Sequence, residues 1–346
     1  MTKLGTVAFT SLIIGAAAIA IAFVSGLPYE SAQRARDREL YPQVGRSVNI
    51  GNRALNIYCS GTGQPAVIFE SGAPWPFYKP REMFQNGEPR AGYGWVSIQR
   101  ELAKVTTACW YDRAGSGWSD LGPYPRDSAS QALDLHVLLR AVGVPPPYVM
   151  VAESSAALDA RVYAGSWPED VAGMVFVNGV HPDLLSKIGV TAVPALLGHS
   201  QDEMAQLLNQ VGLYRLGLPA GPAPGPLPEG MTAAEWNTVW HLTHSSKAIS
   251  ALMQEIGARQ LSRDEAGAAG SLGDRPVVVL SGKNFLPSGR NSVWEELQNE
   301  LAKLSTRGKL VMVDRGGDDL IYRAPDSIIA ATRQVLDDVT SAPGRR

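Results

Sequence analysis

Beyond residue 46 the chain alternates between short runs of β-branched and aromatic residues and longer stretches with apolar residues at helical spacing. The runs Ser47–Ile50 and Ala54–Cys59 flank a Gly51-Asn52 turn and predict a hairpin. Ala66–Glu70, Thr106–Tyr111, Tyr148–Val151, Val171–Val177, Pro276–Leu280 and Lys309–Val313 predict further strands. Between them, Ser128–Val142 sets Ala132, Leu133, Leu135, Leu138 and Leu139 on one helical face, and Ser155–Trp167 predicts a second helix stopped by Pro168. Asp326–Val339 predicts a third, opened by Pro325. Strand, helix and strand in repetition imply an α/β fold with a mostly parallel sheet.

Two regions depart from this rhythm. From Leu184 to about Gly273 no strand pattern occurs, but capping boxes at Ser200–Glu203 and Thr232–Glu235 start helices. This stretch predicts a helical cap, residues 184–273, inserted between two parts of the core, 46–183 and 274–340. Within it Pro219–Gly230 is too rich in Pro and Gly for regular structure and predicts a loop. The other region is the N-terminus, where Leu4–Leu27 carries no charge and is long enough to cross a membrane. The uncleaved anchor is preferred to a signal peptide, because the run exceeds a signal's apolar region and ends in Ser25-Gly26-Leu27-Pro28. The anchor covers residues 1–28 and a linker follows, 29–45, with its core at Tyr29–Pro42. Lys3 on one side and Arg34, Arg36 and Arg38 on the other leave the orientation open.

Hydrophobic residues make up 45% of the 346 and charged residues 18%, enough apolar material for a core. With 31 Lys+Arg against 33 Asp+Glu, the net charge of −2 offers no basic field for nucleic acid. Two cysteines, Cys59 and Cys109, fit neither a disulfide scaffold nor a Cys-x-x-Cys pattern, so structural zinc is not expected. No cofactor motif occurs either: Gly115 and Gly117 do not follow the first strand of a βαβ unit as a nucleotide loop requires, and read as turn glycines.

The strand at Tyr148 runs into Ala152-Glu153-Ser154-Ser155-Ala156 and then into a helix, the context of a nucleophile elbow with small residues on either side of Ser154. Taken with YDRAGSGWSD at Tyr111–Asp120, NIYCSGTGQPAVIFESG leading into the third strand, and VNGVHPD at Val177–Asp183, the sequence resembles the α/β-hydrolase superfamily, in its membrane-anchored bacterial branch, over Arg46–Val339. The resemblance places Ser154 at the nucleophile position and the backbone N–H groups of Ala73 and Ser155 at the oxyanion hole. Pro74 follows Ala73 and leaves that N–H in place.

The family's base is a His seven residues before the Pro that opens the final helix. Counting back from Pro325 gives Asp318, and no His follows His244. The acid positions hold Asn178 and Asn284. An acid with no imidazole to orient would be an unpaired buried charge, so the two losses agree. Glu153, before the serine, is either a solvated elbow residue or a negative charge that opposes an oxyanion. Substitute bases are His181, after the sixth strand, and His241 and His244 in the cap; His136 and His199 read as surface or packing residues. Asp318 itself is a poor match for a serine hydroxyl at the ordinary carboxylate pKa of ~3.9. In this fold the strands of Cys59 and Cys109 are neighbours, and either a disulfide or two buried thiols fits; a disulfide would put the domain outside the cytoplasm.

The expectation is a membrane-anchored α/β-hydrolase-fold protein with an incomplete triad that binds a small apolar or acyl-bearing molecule with little or no turnover. The alternative is an esterase-like serine hydrolase using Ser154 with a non-standard base.

Overall fold

The structure is a computed structural model that describes residues 24–73, 91–189, 207, 209–213, 215, 221–283, 285–286, 289–315, 317 and 319–341. Eight strands form one sheet: β1 (Arg46–Asn49), β2 (Ala54–Ser60), β3 (Ala66–Glu70), β4 (Ala108–Tyr111), β5 (Tyr148–Glu153), β6 (Val171–Val177), β7 (Gly273–Gly282) and β8 (Ser305–Val313). Their order is β1-β2-β4-β3-β5-β6-β7-β8. β2 runs antiparallel to β1 and β4, and every pairing from β4 to β8 is parallel.

The central strands read as continuous apolar runs because helices cover both faces. Side chains alternate between them: Met150, Met174, Phe176 and Val279 meet one layer, and Val149, Val151, Val175 and Val278 the other. The first layer contains the helices Ser128–Val142, Ala156–Ser166 and Asn291–Ala302; the second contains Val96–Leu102 and Pro325–Thr340. Leu133, expected on the inner face of its helix, is 51% exposed, whereas its neighbours Ala132 and Leu135 are buried. The helix Ser128–Val142 starts at an Asp127 cap that accepts from Ser130 N and stops at Gly143 in the left-handed region.

Between β6 and β7 the described residues are helical or irregular, with a short helix Leu184–Lys187 and two longer ones, Ala233–Thr243 and Ser246–Ala268, hereafter the cap helices. Thr232 and Glu235 form the expected capping box. The box at Ser200–Glu203 lies outside the described residues, and residues 221–230 carry no regular structure. Gly115 is positive in φ, and a methyl group there would lie 2.4 Å from Ala251 Cβ, so this turn glycine lets the longer cap helix approach the sheet edge.

Where the sequence predicts a linker, residues 24–40 are helical. The correction has an electrostatic cause. Glu30 is buried on this helix and accepts from Arg34 at 2.7 Å, from Arg215 at 2.5 Å and from Ser246 at 2.7 Å, while Asp37 also pairs with Arg215. Charges that resemble a solvated linker in sequence are answered by Arg215 and by Ser246 at the start of the longer cap helix. Among the described residues no helix is long and apolar enough to cross a membrane. Of the apolar run Leu4–Leu27, only the last four residues are described, and they begin this helix.

Cys59 and Cys109 stand directly opposite each other on β2 and β4 and form a disulfide. It closes a loop of 50 residues, so replacing both cysteines with Ala should lower unfolding stability by about 2–4 kcal/mol, read by urea unfolding with and without reductant. Reductant should leave the double variant unchanged.

Candidate active site

The parallel strands deliver their ends to one edge of the sheet, where sites form in open α/β folds. β5 ends at Glu153, and Ser154 takes φ 53° before the helix Ala156–Ser166 begins. A non-glycine residue in this region is strained, and the neighbours hold it there. Ser154 N donates to Val177 O at 3.0 Å, and Val180 N donates to Ser154 O at 2.9 Å. On the other side the turn after β3 presses in. A methyl group on Gly72 would lie 2.4 Å from Glu153 O and 2.7 Å from Ser155 N, so only glycine fits. Gly72 N donates to Glu153 Oε2 at 3.0 Å, which makes Glu153 a buried brace of the elbow and not a solvated residue.

Ser154 is fully buried, and its hydroxyl donates to Ala73 O at 3.3 Å. Ala73 N, one of the two candidate oxyanion donors, is engaged by Ser155 Oγ at 2.7 Å. The structure therefore brings Ser154, Ser155 and Ala73 together, with the serine side chain of the second position occupying the first donor.

The histidines go elsewhere. His181 Nδ1 accepts from Asp183 N at 3.1 Å and its Nε2 lies 3.5 Å from Glu300. Burial pushes its pKa down, which keeps the ring neutral. His241 stacks on Tyr41 with ring centres 4.0 Å apart and lies 3.6 Å from Asp37, so it joins the N-terminal helix to the cap. His244 Nδ1 meets Trp240 O at 2.8 Å and its ring packs on that indole. His136 stacks on Trp167. Among the described residues no imidazole hydrogen-bonds to Ser154 Oγ. Asp318, Asn284 and His199 lie outside the described residues.

Asn178, at the acid position, also has positive φ, 47°, which Asn tolerates better than most residues. Its amide works in both directions: Oδ1 accepts from Gly282 N at 2.8 Å and Nδ2 donates to Gly317 O at 2.9 Å. It fastens the ends of β6, β7 and the turn after β8. A carboxylate here would lose the donor and face the Gly317 carbonyl.

Beside the elbow lies a group of buried charges that the sequence analysis did not single out. Arg113, two residues beyond β4, is 3% exposed and donates to Asp159 on the elbow helix at 3.3 Å and to Glu255 on the long cap helix at 3.0 Å. Asp159 also accepts from Ser128 Oγ. Burial raises the pKa of Asp159 against the pull of Arg113. Glu70, at the end of β3, accepts from Tyr111 Oη at 2.7 Å and is pushed up to about 8, first by burial and then by Asp159. Arg126 is 1% exposed and donates through Nη2 to Asp134 at 3.0 Å. A small cavity of ≈ 20 Å³ opens between these groups; Ala73, Ser155, Leu158, Arg126, Asp159 and Arg259 are among its walls. A charged residue ending a wholly buried strand, Glu70 in AVIFE, was the one available sequence signal.

Comparison with known proteins agrees with this architecture. The chain is 26% identical over 308 residues to an AB hydrolase superfamily protein of Gibberella zeae, covering 79% of this chain and 92% of that one. It is 24% identical over 251 residues to the uncharacterized protein YqjL of Bacillus subtilis, covering 71% and 81%. Among solved structures it is similar to a haloalkane dehalogenase loop variant from Bradyrhizobium elkanii, at TM-score 0.61 and 17% identity over 87% of this chain and 98% of that one. A thermophilic esterase from Thermogutta terrifontis gives 0.57 and 17% over 86% and 99%. A bacterial membrane phospholipase A gives 0.54 and 18% over 98% and 100%. No family model matches the sequence. The chain has the α/β-hydrolase fold.

Two predictions follow from the geometry. Asn178→Asp should destabilise the protein by about 1–3 kcal/mol in thermal or urea unfolding at pH 7, because it replaces a donor to Gly317 O with an acceptor. Glu70 binds its proton more tightly folded than unfolded, so its contribution is complete below about 4.5 and is lost as pH rises through about 8. Stability measured across that window should fall less steeply in Glu70→Gln than in the wild type.

Proposed function

We propose that the protein is a small-ligand-binding member of the superfamily with little or no hydrolytic turnover, held at a membrane by its N-terminal segment. One observation carries the reading: the Ser154 hydroxyl is buried against Ala73 O and has no imidazole partner among the described residues. A serine hydroxyl without a base to take its proton is a weak nucleophile. The occupied Ala73 N–H and the clasp role of Asn178 point the same way. The ligand class in this reading is a small apolar or acyl-bearing molecule.

The charge-free run Leu4–Leu27 supports the membrane anchor, and the likeness to a membrane phospholipase A over 98% of this chain is consistent with it. The Cys59–Cys109 disulfide supports an extracytoplasmic domain. One observation favours the second reading, a serine hydrolase acting on ester or related acyl bonds: the strained elbow at Ser154 is retained.

The test is the intact mass of the full chain, in detergent, after exposure to a fluorophosphonate probe. The expected outcome is no stoichiometric adduct on folded protein. An adduct on the wild type that disappears in Ser154→Ala would establish the hydrolase instead.

A further inference from the structure

The N-terminal helix, residues 24–40, turns one stripe toward the cap. Gly26, Glu30, Arg34 and Asp37 recur at three- and four-residue spacing, which keeps them on one helical face. A methyl group on Gly26 would lie 2.5 Å from Val211 O and 2.9 Å from Val211 Cβ, so this glycine lets the two backbones meet. One turn on, Gly212 lies against Tyr29 and Glu30. Arg34 Nη2 donates to Asn209 Oδ1 at 3.1 Å, and Arg215 spans two turns by donating to both Glu30 and Asp37. Gly26 and Leu27 belong to the charge-free run Leu4–Leu27, so this part of the cap is clamped beside the place where the run ends. Asp37 stands about 15 Å further along the axis than Leu27, at 1.5 Å per residue. The surface at the lower end is apolar: Val24 is 76% exposed, Leu27 and Tyr29 48% each, and Leu213 41%. A tyrosine at the end of an apolar run suits a membrane–water boundary, with its ring in the apolar side and its hydroxyl in the wet one.

We propose that Val24, Leu27, Tyr29 and Leu213 form a surface that rests on the bilayer, so that the protein stands on its cap with the elbow edge of the sheet toward the lipid. The cap crosses that edge because Glu255 on its longer helix pairs with Arg113, two residues beyond β4. The occupant is the lipid surface and not a second copy of this chain, because the helix brings the last residues of the apolar run into contact with Val211 and leaves no gap there for another protein. Val105, 56% exposed, precedes β4 and lies at the opposite edge of the sheet, away from lipid. The inference rests on the membrane-anchor reading above and goes beyond it by fixing which face of the domain touches the membrane.

The experiment uses the full chain carrying Leu213→Cys or Val105→Cys, labelled with the fluorophore NBD and reconstituted in vesicles of phosphatidylcholine and phosphatidylglycerol. Both positions are exposed, so the label disturbs no buried packing. Flotation with the vesicles after carbonate extraction tests the anchor, and quenching of NBD by doxyl-labelled phosphatidylcholine tests the face. Both proteins should float; the label at 213 should lose at least half its emission to the quencher, and the label at 105 should keep its emission. Flotation without quenching at 213, or with equal quenching at the two positions, would overturn the proposal and leave the anchor standing. An emission change at 213 that grows with the protein-to-lipid ratio and resists the quencher would put a second copy on this surface, which also defeats the proposal. Failure of both proteins to float would remove the anchor reading and this inference with it.

Discussion

A guanidinium shut away from water, Arg113, is the constraint around which this end of the molecule is arranged. An ion in that position must be paired, since removing one partner of a buried pair costs about 3–5 kcal/mol. Its partners come from two different layers, Asp159 on the elbow helix and Glu255 on the longer cap helix. The pairing therefore fixes where the cap sits on the core. Neighbouring contacts repeat the instruction: Ser128 N donates to Ser262 Oγ and Arg263 donates to Pro182 O. The cap is seated by polar bonds of defined direction, where an apolar contact alone would allow it to slide.

The elbow is held by the opposite device, close packing. Strain at Ser154 is confined between the β6 backbone and the turn after β3, and the small residues on either side of it, Ala152 and Ala156, are both fully or almost fully buried. Nothing in that arrangement depends on a catalytic histidine. A strained turn built by packing keeps its shape whether or not an imidazole stands beside it. The polar groups nearby serve structure: Glu153 braces Gly72, Asn178 clasps the ends of β6 and β7 to the turn after β8, and Ser155 Oγ accepts from Ala73 N.

The N-terminal helix shows where a local reading loses its grip. Residues 30–40, ESAQRARDREL, contain good helix formers and a Glu30–Arg34 pair at i,i+4, but they carry no apolar stripe. A helix whose inner face is polar cannot be recognised by hydrophobic periodicity. It becomes legible only once Arg215 and Ser246 are known to stand beneath Glu30. His241 gives the same lesson from the other side. In sequence it is a histidine available to a pocket, and in the fold it is the ring on which Tyr41 lies.

The sequence by itself determined the sheet, the elbow and the lack of any histidine after His244. Strands buried on both faces must be apolar throughout, a turn that admits only small residues must show them, and a histidine absent after His244 is absent from any fold. Tertiary structure alone decided what the charges do. Arg113, Arg126 and Asp159 look in sequence like the charged residues of any surface, and only Glu70, ending an apolar strand, stands out. Desolvation depends on how many atoms from distant segments surround a group, and no local pattern encodes that number. For the same reason the pairing of Cys59 with Cys109 waited on the register of β2 against β4, which places them opposite each other.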